Sequence, residues 1–178
     1  MIQELVYIFE NDKYDNLKGV HKVKMIPDTG ISKIVGLLQI VSSNGGKMPV
    51  EDIAQAYSVE LETLLLAVDG AQLLGLANSR EGNVELSSLG KKIVAANIAK
   101  RKRMIKKQLA NLESFKILSS VPEAGKGRKA HKRHFIHALS KYHTKKEAEK
   151  QFRKLVEWGR YAQAVNYNAD TDEVELML

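Results

Sequence analysis

The stretch Leu155-Val-Glu-Trp-Gly-Arg-Tyr-Ala-Gln-Ala-Val-Asn-Tyr-Asn-Ala-Asp-Thr-Asp-Glu-Val-Glu-Leu176 predicts the end of a helix followed by a β-hairpin. Asn168 to Asp172 forms a turn cluster, because Asn and Asp side chains bond their own backbone and tolerate left-handed conformations. Val174 and Leu176 then alternate with glutamates, which is typical of a half-buried strand. A helix that leads into a hairpin is the closing half of a winged helix.

The upstream chain predicts the rest of this unit and an earlier unit of the same order. Apolar residues at helical spacing indicate three helices, a hairpin and an exit helix before residue 98. We expect Asp28 or Thr29 to cap the first of these helices. The core positions of the second and third helices are predicted to include Tyr57, Leu61 and Leu65. Further helices are predicted over Lys100–Ser119, over Ala130–Tyr142 and after Thr144, where Glu147 completes a capping box.

The predicted fold class is therefore mainly α with small β hairpins, built from tandem winged-helix units. The expected division is an N-terminal strand arm at residues 1–26, a first unit at 27–98 and a second unit at 99–178. In the arm, Leu5–Phe9 and His21–Ile26 suit two strands. An isolated hairpin is marginal in water, so the arm either packs on the core or exchanges with a second copy, which makes a homodimer one of the expectations.

Composition excludes several classes of protein. The 178 residues contain no cysteine, which rules out disulfides, thiol catalysis and Cys-ligated metals and fits a cytoplasmic protein. No apolar run approaches the roughly 20 residues of a membrane-spanning helix, and no signal peptide is recognisable. No G-x-x-x-x-G-K-[ST] string is present, and Gly125-Lys-Gly-Arg-Lys has the wrong spacing for a phosphate loop. We expect no catalytic residues and no cofactor.

Charge is unevenly distributed along the chain. Residues 100–160 hold 19 Lys and Arg against 5 Glu, a net +14, whereas the remainder of the chain has a net charge of −7. A basic middle suits an acidic partner, although Lys-rich helices are also common as solvated surface. His131, His134 and His137 stand three apart on one predicted helix, but the cations interleaved with them oppose a metal ion, so we interpret them as polar surface and predict no metal site.

The residues resemble a known family. The matching pieces are Gly36-Leu-Leu38, Asn44-Gly-Gly46, Leu73-Leu-Gly75, the Gly82–Gly90 wing exit, Lys100-Arg-Lys-Arg103 and, as the most specific string, Trp158-Gly159-Arg160-Tyr161 with the following Ala162, Tyr167 and Asp170. In these the chain is similar to the AAA-associated C-terminal domain family. That family is found appended to ATP-binding subunits of nitrate, sulfonate and taurine type ABC importers, and also as free-standing chains. The resemblance implies an accessory regulatory or protein-binding module rather than the ATPase.

Two functions remain open at this point. The third helix of the second unit carries a basic face, with Lys146, Lys150, Arg153, Lys154 and Arg160 as the candidate partner-binding or phosphate-binding residues. In a regulatory interaction module these residues would meet an acidic surface of an ATP-binding subunit. In a winged-helix transcription regulator they would meet the phosphates of duplex DNA, with Gln151 or Lys154 as the base-reading residues. The acidic hairpin that follows opposes DNA.

Overall fold

The computed structural model describes residues 23–121 and 129–178. Within them the fold is mainly α, with eight helices and two small three-stranded antiparallel sheets, which confirms the predicted class. The elements up to the first hairpin are α1 (Ile31–Ser43), β1 (Lys47–Pro49), α2 (Val50–Tyr57), α3 (Leu61–Leu73), β2 (Ala77–Arg80) and β3 (Asn83–Leu86). The elements that follow are α4 (Ser88–Ala95), α5 (Ile98–Asn111), α6 (Glu113–Ser119), β4 (Lys129–His131), α7 (Lys132–Leu139), α8 (Lys145–Tyr161), β5 (Val165–Asn168) and β6 (Glu173–Leu176).

The same sheet topology occurs twice. The strand orders are β1-β3-β2 and β4-β6-β5, so in both sheets the last strand in sequence lies in the middle. Val84 and Val174 occupy equivalent central positions, each paired on both sides and fully buried. The winged-helix prediction rested on the repeated order of helices and hairpin, which did not include β1 and β4. The winged-helix assignment and the boundaries 27–98 and 99–178 stay predictions.

The equivalence between the halves extends from the sheets into the helices. A three-residue strand followed by an eight-residue helix precedes both α3 and α8. Gly75 and Gln163, which follow these two helices, both have positive φ, at 68° and 55°. Ala77 and Val165 then take the same place against Leu86 and Leu176. Equivalent residues of the two halves therefore differ by 88 in number, as Gly75 and Gln163 do. With this offset, Leu65 of α3 is equivalent to Arg153 of α8.

Two junctions of the chain are built as local capping predicts. The hydroxyl of Ser87 accepts a hydrogen bond from the Gly90 N–H and caps α4. The α4 C-terminus is capped from the next helix, because the Arg101 guanidinium donates to the carbonyls of Ile93, Val94 and Ala96 at 3.1, 3.4 and 3.2 Å. A cation thereby binds the carbonyls at the C-terminal end of the helix, which is the negative end of its dipole.

Several predicted features of the backbone are wrong. The helix expected over Lys100–Ser119 breaks at Leu112, whose backbone is extended. A continuous helix would have carried the buried stripe of Ile105 and Leu109 on to Lys116, whereas the break brings Phe115 into the core. Residues 23–26, the described part of the second arm strand, have no regular secondary structure. The rest of the arm, including Leu5–Phe9, lies outside the described residues.

The start of α1 and the ends of α7 also differ from expectation. Gly30 is the N-cap of α1 and no side chain caps it, because the Asp28 side chain pairs with α8 and the buried Thr29 hydroxyl makes no hydrogen bond among the described residues. The helix expected over Ala130–Tyr142 is shorter, at Lys132–Leu139, since its first residues pair with β6 as strand β4.

Three side chains predicted to be buried are on the surface. Tyr57, Leu61 and Leu65 are 47%, 47% and 46% exposed. Each helical residue is rotated by about 100° from the previous one, so Leu65 points well away from the direction of Leu64. In α3 the buried face goes to Leu64 and Val68, and Leu65 is left pointing outward.

The close approach of α8 to β5 depends on Gly159. A methyl group at this position would overlap the Cγ2 atom of Val165 and lie 2.7 Å from its Cβ atom. We expect Gly159→Ala to destabilise the fold by about 1–3 kcal/mol, because overpacking forces the strand away from the helix. Urea unfolding measures this cost. Adding Val165→Ala to the variant should recover part of it.

Gly36→Ala is the matched control for this prediction. Gly36 is also in a helix, but a methyl group there has no neighbour within 4 Å. The control should be neutral or stabilising by up to about 1 kcal/mol, through helix propensity alone. Equal effects of the two alanine substitutions would contradict the steric explanation.

Candidate partner-binding surface

Helix α8 carries the candidate residues and has a strongly defined start. The Thr144 N–H donates to Glu147 Oε2 at 2.9 Å, and the Glu147 N–H donates to Thr144 Oγ1 at 3.4 Å. This reciprocal pair is the capping box expected from the sequence. The helix then runs for 17 residues, and its buried face includes Phe152, Leu155 and Trp158.

The structure brings the predicted basic residues to one side of α8. We call Lys146, Lys150, Arg153, Lys154 and Arg160 the basic stripe. All of them are exposed except Lys154, whose side chain retains 19% of its accessible surface. Two acidic residues, Glu149 and Glu157, lie on the same side of α8 as the stripe.

Part of the basic stripe is neutralised within the chain. The Asp28 carboxylate lies 3.2 Å from Lys150 Nζ and 2.8 Å from Lys154 Nζ, and Lys154 Nζ also contacts Glu157 Oε2 at 2.8 Å. Hydrogen bonds from Lys154 and then Lys150 hold the pKa of Asp28 below its ordinary value. Burial lowers the pKa of Lys154, but the hydrogen bonds to Asp28 and Glu157 outweigh it and the pKa is raised.

The remaining cations of the stripe differ in their availability. The Arg160 guanidinium donates to the Tyr167 carbonyl at 3.1 Å, so it bonds the main chain of β5 rather than an acidic side chain of the hairpin. Within the described chain, neither Lys146 nor Arg153 makes an ion pair or a side-chain hydrogen bond. These two residues are the open part of the basic stripe.

The segment beside the stripe is held by buried hydrogen bonds. We call residues 23–30 the clamp segment. Gln151 is 1% exposed and bonds one residue of this segment twice: its Oε1 accepts from the Ile26 N–H at 2.8 Å, and its Nε2 donates to the Ile26 carbonyl at 3.1 Å. The indole N–H of Trp158 donates to the Thr29 carbonyl at 2.8 Å. The proposed base-reading role of Gln151 is therefore wrong, because its amide is buried and fully engaged.

The string Trp158-Gly159-Arg160-Tyr161 is accounted for residue by residue. Trp158 is fully buried and secures the clamp segment rather than the hairpin, Gly159 admits Val165, and Arg160 bonds the main chain of β5. Tyr161 is partly buried against the core. One turn of helix thus joins α8 to the segment before α1 on one side and to the hairpin on the other.

A groove lies beside the basic stripe, between α7, α8 and β5. Its volume is about 670 Å³, and its lining includes the apolar side chains Ile136, Phe152, Val156 and Tyr167. The Phe152 and Tyr167 rings meet edge to face, with centroids 5.9 Å apart. Charged residues that line the groove are Lys132, Arg153, Arg160, Glu149 and Glu157. The groove is therefore apolar inside, with Arg153 as its open cation.

A polar network fixes the hairpin of β5 and β6, called the wing below, beside this groove. Asp172 accepts a hydrogen bond from the Tyr167 hydroxyl at 2.6 Å and pairs with Lys132 Nζ at 2.6 Å. The hydrogen bonds from Lys132 and then from Tyr167 hold the pKa of Asp172 below its ordinary value, and the bond to Asp172 raises the pKa of Tyr167. Lys129 pairs with Glu173 at 3.7 Å, so two acidic residues of the wing have internal cations.

The first histidine of the predicted series, His131, has a structural role at the start of α7. The Nδ1 atom of His131 accepts a hydrogen bond from the Arg133 N–H at 3.2 Å and caps the helix. Over residues 23–121 and 129–178, no group of three or more His, Asp or Glu residues is arranged to hold a metal ion.

In the same part of the chain, no helix is both long enough and apolar enough to cross a membrane.

Replacing Gln151 tests the clamp. In Gln151→Leu the buried N–H and carbonyl of Ile26 lose their partners, and each unsatisfied group costs about 1–3 kcal/mol. We expect a total loss of about 2–5 kcal/mol in unfolding free energy, measured by urea denaturation. The matched control is Gln55→Leu, at an exposed glutamine of α2, which should change stability by less than about 0.5 kcal/mol. A loss of that small size for Gln151→Leu would contradict the clamp.

The Asp28 ion pairs predict a pH dependence. Because the pKa of Asp28 is lower when folded, its contribution is complete above its unfolded pKa of about 4 and is lost as pH falls through the folded pKa. Asp28→Asn should therefore be less stable than wild type near pH 6, by less than about 1 kcal/mol because the pair is half exposed, and the difference should vanish near pH 2.

Urea denaturation over this pH range measures the difference. Asp170→Asn is the control, since Asp170 is an exposed carboxylate with no ion pair among the described residues. A difference between wild type and Asp28→Asn that stays constant down to pH 2 would contradict the role of the carboxylate.

Comparison with known proteins agrees with the resemblance of these residues. A family model described as the C-terminal AAA-associated domain matches residues 51–168, more than half of the chain. Searches of curated proteins and of solved structures returned no significant match. The match spans α2 to β5 and includes the basic stripe and the Trp158–Tyr161 string. The chain therefore belongs to the C-terminal AAA-associated domain family, a family of accessory domains of ABC-type ATPases.

Proposed function

We propose that this chain is a non-catalytic regulatory module that docks on the ATP-binding subunit of a nitrate, sulfonate or taurine type importer. Family membership supports the association with such ATPases. The docking surface in this proposal is the basic stripe of α8, with Lys146 and Arg153 as its open contacts. The partner presents carboxylates to the stripe and works in the cytoplasm.

The observation that carries this proposal is the seating of Asp28. A carboxylate already lies between two lysines of the stripe, within 3.2 Å of both nitrogens. The spacing of cations on this helix therefore accommodates the side-chain group that an acidic protein surface would present. Lys146 and Arg153 lie on the same exposed side, Lys146 one turn before Lys150 and Arg153 one turn after it. The apolar groove next to Arg153 offers additional area to bury.

Duplex DNA is the second candidate, and the two open cations are what favour it. Charges elsewhere oppose it. Lys150 and Lys154 are already compensated by Asp28, and Asp170 and Glu175 of the wing have no ion pair among the described residues. Phosphates approaching α8 would meet this negative wing, whereas a protein surface can be shaped to avoid it.

Binding to a purified ATP-binding subunit of this importer type tests the proposal. In isothermal titration calorimetry, Lys146→Glu with Arg153→Glu should weaken binding by at least about tenfold, because two favourable charge contacts become repulsive. The control is Lys33→Glu with Lys47→Glu, which makes the same change in net charge at exposed positions of α1 and β1. Unchanged affinity in the α8 variant, or no binding by wild type, would overturn the proposal.

Labelled duplex DNA in a salt series tests the alternative. A steep fall of log affinity with log salt concentration, abolished by the same α8 variant, would indicate phosphate contacts and a regulator of transcription. Absence of binding at low salt removes this candidate, since nonspecific affinity alone should appear there.

A further inference from the structure

The exposed faces of α3 and α8 occupy equivalent positions in the two halves but differ in charge. With the offset of 88 residues, Glu62, Leu65, Asp69 and Gln72 of α3 correspond to Lys150, Arg153, Glu157 and Arg160 of α8. All eight side chains are exposed. The first helix therefore shows glutamate, leucine and glutamine where the second shows lysine and two arginines, and both helices show a carboxylate at the remaining position, Asp69 and Glu157.

The α3 face lacks a partner within the described chain. Leu61 and Leu65 are one helical turn apart and about half exposed, and Tyr57 is exposed at the end of α2. Glu62 and Asp69 flank the leucines and make no ion pair with any described residue. An apolar stripe with uncompensated carboxylates is suited to an apolar groove with a cationic rim.

The groove beside α8 has this complementary chemistry. Its apolar lining includes Ile136, Phe152 and Val156, and Arg153 at its edge is free of any internal ion pair. The other charged lining residues are Lys132, Arg160 and Glu157, which are engaged within the chain, and Glu149. Its volume of about 670 Å³ exceeds that of the two leucine side chains that would enter it. Apolar surface and charge of both signs thus match between two faces of the same chain.

We propose that this protein self-associates by placing the α3 face of one copy in the α7–α8–β5 groove of a second copy. Leu61 and Leu65 enter the groove, and Glu62 and Asp69 approach Arg153 and Lys146. Each copy has one such face and one such groove. A reciprocal arrangement therefore buries both faces and both grooves and closes a two-fold dimer.

Self-association by this route covers the surface proposed for docking on the ATP-binding subunit. The dimer would then be the form that cannot dock, and the free monomer the form that can. This regulatory consequence rests on the proposed function. The self-association itself does not, and it is tested on the purified protein with no partner present.

Sedimentation equilibrium of the full chain at low ionic strength is the direct test. We expect a discrete dimer whose dissociation constant rises as salt increases from about 50 mM to about 500 mM, because salt screens exposed charges. Leu65→Ser should raise the dissociation constant by at least about tenfold, as is usual for a buried apolar anchor. Leu65 is already half exposed in the monomer, so this variant should still fold.

Charge exchange identifies the two faces. Glu62→Lys with Asp69→Lys, and separately Lys146→Glu with Arg153→Glu, should each be monomeric, because both contacts of such a dimer are repulsive. An equimolar mixture of the two variants should associate, since a mixed dimer has one wild-type contact and one contact with both signs reversed. Lys33→Glu with Lys47→Glu should associate like wild type.

Three results would overturn the proposal. They are a monomeric wild type at about 100 μM and low salt, open-ended growth instead of a closed dimer, and a dimer that Leu65→Ser leaves unchanged. Failure of the mixed variants to associate would also exclude these two faces. None of these measurements involves the ATP-binding subunit, so their outcome is distinguishable from that of the docking experiment.

Discussion

The double hydrogen bond between Gln151 and the main chain of Ile26 is the contact on which the placement of the clamp segment depends. Both groups are buried, so neither the amide nor the backbone can exchange its partner for water without cost. With Ile26 fixed in this way, Trp158 reaches the Thr29 carbonyl and Asp28 lies between Lys150 and Lys154. The segment that begins α1 is therefore part of the surface of α8, 125 residues away in the chain.

This contact changes how much of the positive charge on α8 is open to a partner. Read along the chain, α8 presents a continuous series of cations. In the folded protein one carboxylate lies against two of them, and a main-chain carbonyl engages a third. The charge open to a partner is accordingly concentrated at Lys146 and Arg153, which flank Lys150 one helical turn away on either side.

The repetition of one topology with divergent surfaces explains how two similar halves can serve different purposes. The buried positions at Val84 and Val174 are identical, because both lie at the centre of a three-stranded sheet and must fill the same space. The exposed positions on α3 and α8 are under no such packing constraint, and there Leu65 stands where the other half has Arg153. The two halves thus share the packing at the centres of their sheets and differ on their exposed helix faces.

Short-range sequence patterns predict many of the secondary-structure elements and helix caps of this protein. The capping box of Thr144 and Glu147, the cap at Ser87, the wing turns and the amphipathic pattern of α8 depend on residues a few positions apart, so the sequence reveals them directly. The basic stripe was also predictable, because helical spacing by itself places Lys146, Lys150 and Arg153 on one side. The family resemblance followed from the string that begins at Trp158.

Only the tertiary structure decided the long-range features. The sequence by itself does not show that Gln151 bonds Ile26 or that Asp28 neutralises Lys150, because these residues come together only when the chain is closed. The strands β1 and β4 were not predicted, since three residues carry no periodicity and pair only with distant strands. Leu65 was assigned to the core because apolar character predicts burial, but the neighbours of α3 cover one face of the helix and leave this residue in solvent.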